Sequence, residues 1–295
     1  MKRVLLLGSN SFTGLHFIDF IRKKSLHEEF SFFGADQHDM DKDGNGILEY
    51  RKVTLSDKTE LENLLSDIKP NYIVNLIGTF SANSHEEYLK LNSDITRYIF
   101  ECLVKTGLDI INFLVIGSSA EYGSSFELPI REDSSTYPVN FYGLSKLIQT
   151  NISIYFHNIY GIKMNVARTF NIIGEGISNK LAIGNFIEQI ERAQDGDTLV
   201  VGNLETKRDY LHIEDVIEAY WEILKNGRPG EIYNVCSGKS FKMESILKGL
   251  IGKSGKRLNI VTDERFLKSN DIMDIYGDNS KLIRDTGWHP NSELL

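Results

Sequence analysis

Residues 4–14 read VLLLGSNSFTG, a short apolar run that ends in a turn containing two glycines. The run has the length of a buried strand, and residues 12–25 continue with helical periodicity. The turn is a GxxSxxG variant of the GxxGxxG turn that opens a dinucleotide-binding helix. Gly8 and Gly14 allow a tight turn, so that backbone amides can approach a pyrophosphate at the helix N-terminus. Ser11 takes the usual middle glycine position, where we expect its small side chain to face the phosphates.

The strand-then-helix rhythm continues through the first two-thirds of the chain. Further buried strands are predicted at residues 30–33, 72–77, 110–116 and 164–167. Further helices are predicted at residues 57–68, 86–105 and 141–160, the first two opened by the capping boxes Asp57/Glu60 and Ser84/Glu87. Because parallel strands need crossover helices, the sequence predicts an α/β fold, a Rossmann-type doubly wound parallel sheet.

The rhythm loosens after residue 168 into glycine-bearing loops, short helices near 181–194 and 214–226, and strands near 199 and 232. We therefore predict a dinucleotide-binding domain at 1–168, to which 207–226 returns, and a smaller mixed α/β substrate lobe at 169–295. Since nothing in the sequence resembles a linker between them, the two parts should pack closely around a cleft, where a ligand would bind.

Asp36 follows Gly14 by 22 residues, just past the second predicted strand. A carboxylate at this place can accept hydrogen bonds from the adenosine ribose of a dinucleotide, and it would repel a 2′-phosphate. The position therefore favours NAD(H), with NADP(H) as the alternative. An aspartate in a surface loop without a ligand is the other interpretation.

Composition excludes several classes of protein. The chain has 295 residues, with 41 acidic and 33 basic side chains and a net charge of −8, which argues against a nucleic-acid partner. No apolar stretch reaches the length of a membrane span, and residues 1–10 lack the long apolar run of a signal peptide, so we expect a cytoplasmic protein without a membrane partner. The two cysteines, Cys102 and Cys236, are expected to be buried and unpaired.

A metal site is not expected either. Residues 41–46 (DKDGNG) match the first half of a calcium-binding loop, but Lys52 stands where the bidentate glutamate should be. The segment is better explained as a polar loop between the second and third strands. The seven histidines lack HxxxH or HExxH spacing.

Tyr142 and Lys146 form a YxxxK pair at the start of the helix that follows the strand ending at Ser118. The i,i+4 spacing places both side chains on one helix face, and an ammonium there would lower the pKa of the phenol. Tyr142 could then act as an acid or base on a carbinol or carbonyl oxygen, which the Ser118 hydroxyl could also hold. A serine-rich turn without catalytic function is the alternative.

Taken together, the glycine turn, Asp36, Ser118, Tyr142/Lys146 and the stretch at 168–171 (RTFN) resemble the extended short-chain dehydrogenase/reductases, the NAD-dependent epimerase/dehydratase family. The C-terminal half is similar to the branch of GDP-mannose 4,6-dehydratase and GDP-4-keto-6-deoxy-D-mannose reductase. The stretches that carry this similarity are 169–171 (TFN), 201–210 (VGNLETKRDY), 233–238 (YNVCSG) and 277–281 (GDNSK).

The resemblance implies a site for each ligand. It assigns cofactor binding to Gly8, Ser11, Phe12, Gly14, Asp36, Leu55, Leu76, Gly78, Tyr142 and Lys146. It assigns binding of a nucleotide-diphosphate sugar to Ser119, Asn171, Asn203, Arg208 and Lys268, with Arg208 on the diphosphate. Lys268 and Asp271 stand where this branch usually has arginine and glutamate, which leaves the nucleotide base open. The family also implies a homodimer through the helices at 86–105 and 141–160.

The same resemblance favours one reaction. Dehydratases of this family need a carboxylate three residues before the glycine of the Tyr-Gly pair, and that place holds Ala120. We therefore expect NAD(P)H-dependent reduction of a nucleotide-diphospho-4-keto-6-deoxyhexose, namely GDP-4-keto-6-deoxy-D-mannose to GDP-D-rhamnose, with Ser118, Tyr142 and Lys146 as the catalytic residues. If the turn is one residue shorter than in the dehydratases, Glu121 could be the carboxylate and Ser119 the serine. A 4,6-dehydratase, a C4 epimerase and a dinucleotide-sensing regulator are the alternatives.

Overall fold

The computed structural model describes residues 1–40, 46–124, 127–266, 272–292 and 294. The predicted doubly wound α/β fold is confirmed by a seven-stranded sheet in which all paired strands are parallel. Its strands are β1 (Lys2–Leu7), β2 (Phe30–Asp36), β3 (Leu48–Lys52), β4 (Tyr72–Asn75), β5 (Asn112–Ser118), β6 (Met164–Thr169) and β11 (Ile232–Val235). They lie in the order β11-β6-β5-β4-β1-β2-β3.

Helices connect and cover these strands. They are α1 (Phe12–Lys23), α2 (Lys58–Ile68), α3 (His85–Tyr88), α4 (Ile95–Thr106), α5 (Phe141–Tyr160), α6 (Ala182–Arg192), α7 (Ile213–Asn226), α8 (Met243–Ser254) and α9 (Ser280–Thr286). The helix predicted at 86–105 is divided, because a π-helical turn, Leu89–Asp94, separates α3 from α4. The capping serine and aspartate bind as predicted, but Glu60 and Glu87 bond the amides of Thr54 and Asn83 instead of the cap residues.

Successive side chains of β1 enter two different cores. Val4 and Leu6 belong to the core under α1 and α7, whereas Leu5 and Leu7 belong to the core under α2, α4 and α5. This division follows from the twofold alternation of side chains along a strand. A continuous apolar run is therefore what a strand covered on both faces requires.

The second half of the chain contributes to both parts of the molecule. Helix α7 packs against α1 and the sheet. Strand β11, which falls within the range 169–295 predicted for the substrate lobe, pairs with β6 in the large sheet. Three of the four residues of Ile232–Val235 are buried, and the strand completes that edge of the sheet. The boundary at 168/169 stays a prediction.

The remaining strands are short. They are β7 (Asn171–Ile173), β8 (Thr198–Val201), β9 (Lys207–Arg208), β10 (Tyr210–His212), β12 (Phe241–Lys242), β13 (Asn259–Thr262) and β14 (Asp274–Ile275). A separate apolar core joins α6 and α8 to β8, with Ile183, Phe186 and Leu199 among its buried members. Among the described residues no helix is both long and apolar enough to cross a membrane.

Candidate active site

The glycine turn lies at the carboxyl end of β1 and has no room for larger residues. Gly8 has φ +79°, and a Cβ there would lie 3.0 Å from Ile77 N. A Cβ at Gly14 would lie 2.4 Å from the Ser9 carbonyl oxygen. The Ser11 hydroxyl accepts a hydrogen bond from Gly14 N at 3.1 Å, so the side chain that we expected to face phosphates is the N-cap of α1.

This turn and its surroundings fit a dinucleotide. The first turn of α1 presents the amides of Phe12 and Thr13, which have no acceptor within their own helix. Asp36 is the last residue of β2, and its carboxylate accepts hydrogen bonds from Asn10 N and His38 N, each at 3.2 Å. Each carboxylate oxygen keeps capacity for a ribose hydroxyl. These residues can therefore hold the pyrophosphate and the adenosine ribose, respectively.

Leu55, Leu76 and Gly78 lie beyond the carboxyl ends of the neighbouring strands. Leu55 and Leu76 are buried, and Leu76 N donates to the Leu7 carbonyl oxygen at 2.9 Å. A Cβ at Gly78 would lie 3.2 Å from Lys146 Nζ. Gly78 therefore leaves room for the lysine beside the segment predicted to line the cofactor.

Ser118, Tyr142 and Lys146 converge at the carboxyl end of β5. Ser118 ends the strand, and its hydroxyl lies near enough to the Tyr142 phenol to affect the pKa of that phenol. Tyr142 lies in the first turn of α5 and is partly accessible to solvent. Lys146 is buried and donates to the carbonyl oxygen of Ile116 at 2.8 Å and to Gln149 Oε1 at 3.0 Å. The structure thus brings the three predicted catalytic residues together.

The pKa values of Tyr142 and Lys146 differ from those expected from the sequence. Burial raises the pKa of Tyr142, and the nearby Ser118 hydroxyl lowers it by a smaller amount. Burial also lowers the pKa of Lys146 to about 8. The expectation that the lysine lowers the pKa of the phenol is wrong for the protein alone, because the ammonium bonds Ile116 and Gln149 and desolvation dominates. Tyr142 is therefore a protonated phenol at neutral pH, suited to donate a proton.

Glu121 does not face the cleft. It is fully buried, and its carboxylate accepts hydrogen bonds from Ser118 N, Thr150 Oγ1 and Arg168 Nε, each at 2.8 Å. Both carboxylate oxygens of Glu121 accept hydrogen bonds inside the protein. The alternative in which Glu121 abstracts a proton from a substrate is therefore wrong for this structure. Ala120 and Ser119 are half-exposed in the same turn.

Two of the predicted substrate residues in the second half of the chain lie on short strands, and a third, Asn203, lies in the loop between β8 and β9. Asn171 opens β7, and its Nδ2 donates to the Asp209 carbonyl oxygen at 2.9 Å. Arg208 ends β9, and its Nη1 donates to the carbonyl oxygens of Lys207 and Ile272 at 2.7 and 2.6 Å. Asn203 is half-buried, and its Oδ1 accepts a hydrogen bond from Glu205 N at 3.0 Å. Lys268 and Asp271 lie outside the described residues.

Sequence reasoning missed Asp209, a buried carboxylate beside Arg208. Its carboxylate accepts hydrogen bonds from Ser237 N and Oγ, Gly238 N and Gly277 N at 2.7–3.2 Å. Burial raises the pKa of Asp209 to about 6, although these hydrogen bonds act to lower it. Asp209 therefore fixes the junction between β9, which ends at Arg208, and β10, which pairs with the strand of Asn171. The segment 201–213 (VGNLETKRDYLHI) mixes polar and apolar residues and contains a second acidic residue, so no local pattern marks Asp209 as buried.

Asn92 was also missed. It lies in the π-helical turn, where Oδ1 accepts from Thr79 N at 2.7 Å and Nδ2 donates to Thr79 O and Ser145 Oγ at 2.9 Å. The residue thus joins the loop after β4 to the helix of Tyr142 and Lys146. Such irregular turns are frequent at functional sites, but periodicity alone predicts an uninterrupted helix there.

Metal ligands are not grouped in the part of the chain that the structure describes: His, Cys, Asp and Glu side chains there form no cluster that could hold an ion. Residues 41–45 of the calcium-like loop lie outside that part. Cys102 and Cys236 are buried, as expected.

Residues 4–236 match the NAD dependent epimerase/dehydratase family. The chain belongs to this family, so it is an NAD(P)-dependent enzyme, and the predicted family and cofactor class are confirmed. Among its relatives, GDP-6-deoxy-D-mannose reductase of Pseudomonas aeruginosa is 34% identical over 183 residues, a match that spans 60% of each chain. GDP-6-deoxy-D-talose 4-dehydrogenase of Aggregatibacter actinomycetemcomitans is 25% identical over 97% of this chain and 91% of its own.

A solved structure agrees with these relatives. RMD from Pseudomonas aeruginosa, complexed with NADPH, superimposes with a TM-score of 0.86 at 26% identity. The superposition covers 100% of this chain and 95% of the other. The likeness to relatives that modify nucleotide sugars supports that class of enzyme for this chain.

Proposed function

We propose that the protein reduces the C4 keto group of a nucleotide-diphospho-4-keto-6-deoxyhexose with NAD(P)H, and that its substrate is GDP-4-keto-6-deoxy-D-mannose. The observation that carries the proposal is the arrangement at the end of β5. Ser118 lies close enough to the Tyr142 phenol to lower its pKa, and Lys146, one turn along the same helix, is buried. The carboxylate of the same turn, Glu121, is enclosed by three donors. A proton donor is present, and this turn offers no carboxylate to remove a C5 proton.

The residues divide the work of a carbonyl reduction. Bound NAD(P)H supplies the hydride. Ser118 holds the substrate oxygen, and Tyr142 donates a proton to it as negative charge develops. Lys146 places positive charge next to Gly78, a residue predicted to line the cofactor site. We assign to this charge the orientation of the nicotinamide ribose. The raised pKa of Tyr142 suits this direction of reaction, because the phenol carries its proton at neutral pH.

Recognition of the diphosphate and sugar is assigned to the second lobe. We propose that Arg208 binds the diphosphate, since its strand is fixed by the buried Asp209 and by two carbonyl contacts to the guanidinium. A guanidinium held in one orientation suits a planar contact with phosphate oxygens. Asn171 and Asn203 complete the proposed nucleotide-sugar site together with Ser119. The guanine base rests on the GDP-sugar relatives alone.

We propose NADH as the preferred cofactor, because Asp36 places a negative charge where NADPH would bring its 2′-phosphate. NADPH is the alternative, favoured by its presence in the RMD structure.

The reaction is tested with purified protein and two substrate pairs. GDP-4-keto-6-deoxy-D-mannose with NADH should consume the cofactor one for one, whereas GDP-mannose with NAD should give no 4-keto product. Efficient dehydration of GDP-mannose would overturn the reductase. If UDP- or CDP-linked keto sugars are reduced and the GDP sugar is not, the proposed keto reduction stands and the assignment of guanine as the substrate's base is wrong.

We propose further that two copies pair through α4 and α5. These helices line an open groove of ≈ 670 Å³. Apolar side chains stand exposed on them, Val104, Tyr155, Ile159 and Tyr160. Pairing of this face in two copies would bury them. Ile159→Asp should yield monomers by sedimentation velocity, whereas Val261→Asp, at a comparably exposed apolar site on β13, should leave dimers intact. A monomeric wild-type protein would contradict this proposal.

A further inference from the structure

The turn after β5 carries a buried carboxylate that the chemistry proposed above does not use. Glu121 and Arg168 are 0% and 4% exposed, with Arg168 Nε 2.8 Å from Glu121 Oε2. Taking both charges out of water is costly, so a pair of this kind needs excellent geometry to be tolerated. Here the remaining capacity of the carboxylate is filled by two more donors.

Each donor belongs to a different element of the active site. Ser118 N is at the end of β5, Thr150 Oγ1 is on α5, and Arg168 Nε is on β6, the neighbouring strand of β5. Thr150 follows Lys146 and Tyr142 at intervals of four residues along α5, and therefore lies on the same stripe of the helix. The carboxylate thus spans the gap between the strand of the serine and the helix of the tyrosine.

The local backbone is shaped to admit this carboxylate. A Cβ at Gly117 would lie 2.6 Å from Glu121 Oε1, so glycine leaves the space that the side chain occupies. Ser118 and Glu121 form a reciprocal capping box, in which the Ser118 hydroxyl accepts from Ala120 N while Glu121 accepts from Ser118 N. This capping box holds Ser118 through both its backbone and its hydroxyl. On the side of Glu121 away from Ser118, the Arg168 guanidinium lies 4.7 Å from the centre of the Tyr122 ring.

We propose that Glu121 is a positioning residue, which sets the location of the Ser118 hydroxyl relative to the Tyr142 phenol by binding Ser118 N and Thr150 at once. The proposal rests on the reductase function proposed above. It assigns to Glu121 no contact with substrate. Its effect on the reaction passes through Ser118, and this dependence distinguishes it from a residue that only stabilises the fold.

A double-mutant cycle measures that dependence. Glu121→Gln keeps the shape of the side chain but places an amide donor either against both Thr150 and Arg168, which bond Oε2, or against Ser118 N, which bonds Oε1. We expect kcat to fall about 10- to 100-fold with KM changed less than about threefold, because misplacement affects the reacting geometry more than binding. In a Ser118→Ala background, where the backbone amide remains and the hydroxyl is gone, the same change should lower kcat less than about threefold.

Equal losses in both backgrounds, or wild-type kcat in Glu121→Gln, would overturn the proposal. Asp215→Asn is the control for loss of a buried carboxylate, since Asp215 bonds Asn291 and Ser292 away from this turn. It should lower the melting temperature and leave kcat near the wild-type value.

A second variant serves if Glu121→Gln does not fold. Thr150→Val removes one donor to the carboxylate without changing charge or shape, and should lower kcat severalfold only when Ser118 is present. Ser153→Ala, which removes another buried hydroxyl of α5 that bonds Gln149 O, is its matched control. An effect of Thr150→Val that persists in Ser118→Ala would contradict the proposal.

A substrate-independent readout separates failure of this proposal from failure of the proposed function. The ionisable groups that face Tyr142 are Glu121, Tyr88 and Tyr220, with Lys146 one turn along its own helix. The Ser118 hydroxyl lowers the pKa of Tyr142, so displacement of Ser118 should raise it. Thr150→Val leaves the charge of Glu121 in place. Titration of ¹³Cζ-labelled tyrosine by NMR, with Tyr142 assigned through Tyr142→Phe, should therefore show ionisation at higher pH in Thr150→Val than in wild type and in Ser153→Ala, and no such difference in a Ser118→Ala background. If the keto sugar is not reduced but this shift is found, the function fails and the positioning role stands. An unchanged titration in Thr150→Val overturns the positioning role.

Discussion

Replacing Lys146 with methionine should change how the stability of the protein depends on pH. Lys146 is 5% exposed, and its ammonium bonds the neutral acceptors Ile116 O and Gln149 Oε1. Glu121 raises the pKa of this lysine, but burial lowers it more, from 10.5 to about 8. In the unfolded chain the same side chain keeps its proton to much higher pH. Folding and proton release by Lys146 are therefore linked.

The sign follows from which state binds more protons. Between about pH 8 and the ordinary lysine value, the unfolded state holds the Lys146 proton and the folded state releases it, so this group adds stability as pH rises. From roughly pH 7 to roughly pH 9.5 the gain is about 2 kcal/mol. Methionine does not titrate, and the other groups largely cancel when wild type and Lys146→Met are compared. Loss of the Lys146 hydrogen bonds in the variant changes the difference in unfolding free energy by the same amount at every pH. It therefore does not produce the rise with pH.

Urea unfolding of both proteins at several pH values measures the difference. The free energy of unfolding of wild type minus that of Lys146→Met should rise by about 2 kcal/mol across that range. Lys90→Met, which removes an exposed lysine of the π-helical turn, should give a flat difference. A flat difference for Lys146→Met as well would refute the reasoning, because it would mean that the ammonium is solvated in the folded protein.

Two further substitutions test the site. Tyr142→Phe should lower kcat about 100-fold or more with cofactor binding nearly unchanged, because the general acid is lost. Tyr88→Phe is the control: its ring centre lies 6.4 Å from that of Tyr142, and this variant should keep most activity. Turnover of Tyr142→Phe near the wild-type rate would show that the phenol is not the general acid. Asp36→Ala should raise the ratio of kcat/KM for NADPH to that for NADH, because the repulsion it removes is about a few kcal/mol at contact, and the exposed Asp39→Ala should not. An unchanged ratio would show that Asp36 does not face the ribose.

Much of the fold could be predicted because its signals are local. The apolar run of β1 and the glycines at 8 and 14 need only short-range patterns. Strand β3, LEYRK, lacks such a run, because it lies at the sheet edge, where each of its residues is half-buried or exposed. Strand β11 follows so late in the chain that its pairing with β6 is not encoded in any nearby pattern.

The candidate site was predictable in its residue types and less so in its energetics. The order of Ser118, Tyr142 and Lys146 along the chain was enough to expect their convergence. What the lysine does to the phenol depends on burial and on Gln149, which spacing cannot show. Similarly, Glu121 could be read as a base until the structure placed Arg168 beside it.

The direct test of the reductase follows the hydride itself. Wild-type protein is incubated with GDP-4-keto-6-deoxy-D-mannose and NADH carrying deuterium at C4 of the nicotinamide, in separate samples for each face of the ring, and the product is examined by NMR. If the protein is the proposed reductase, one deuterium should appear at C4 of the sugar from one of the two labelled cofactors, and one NADH should be oxidised per sugar. A product without deuterium at C4 in both samples, or an unchanged keto sugar with the cofactor intact, would contradict it.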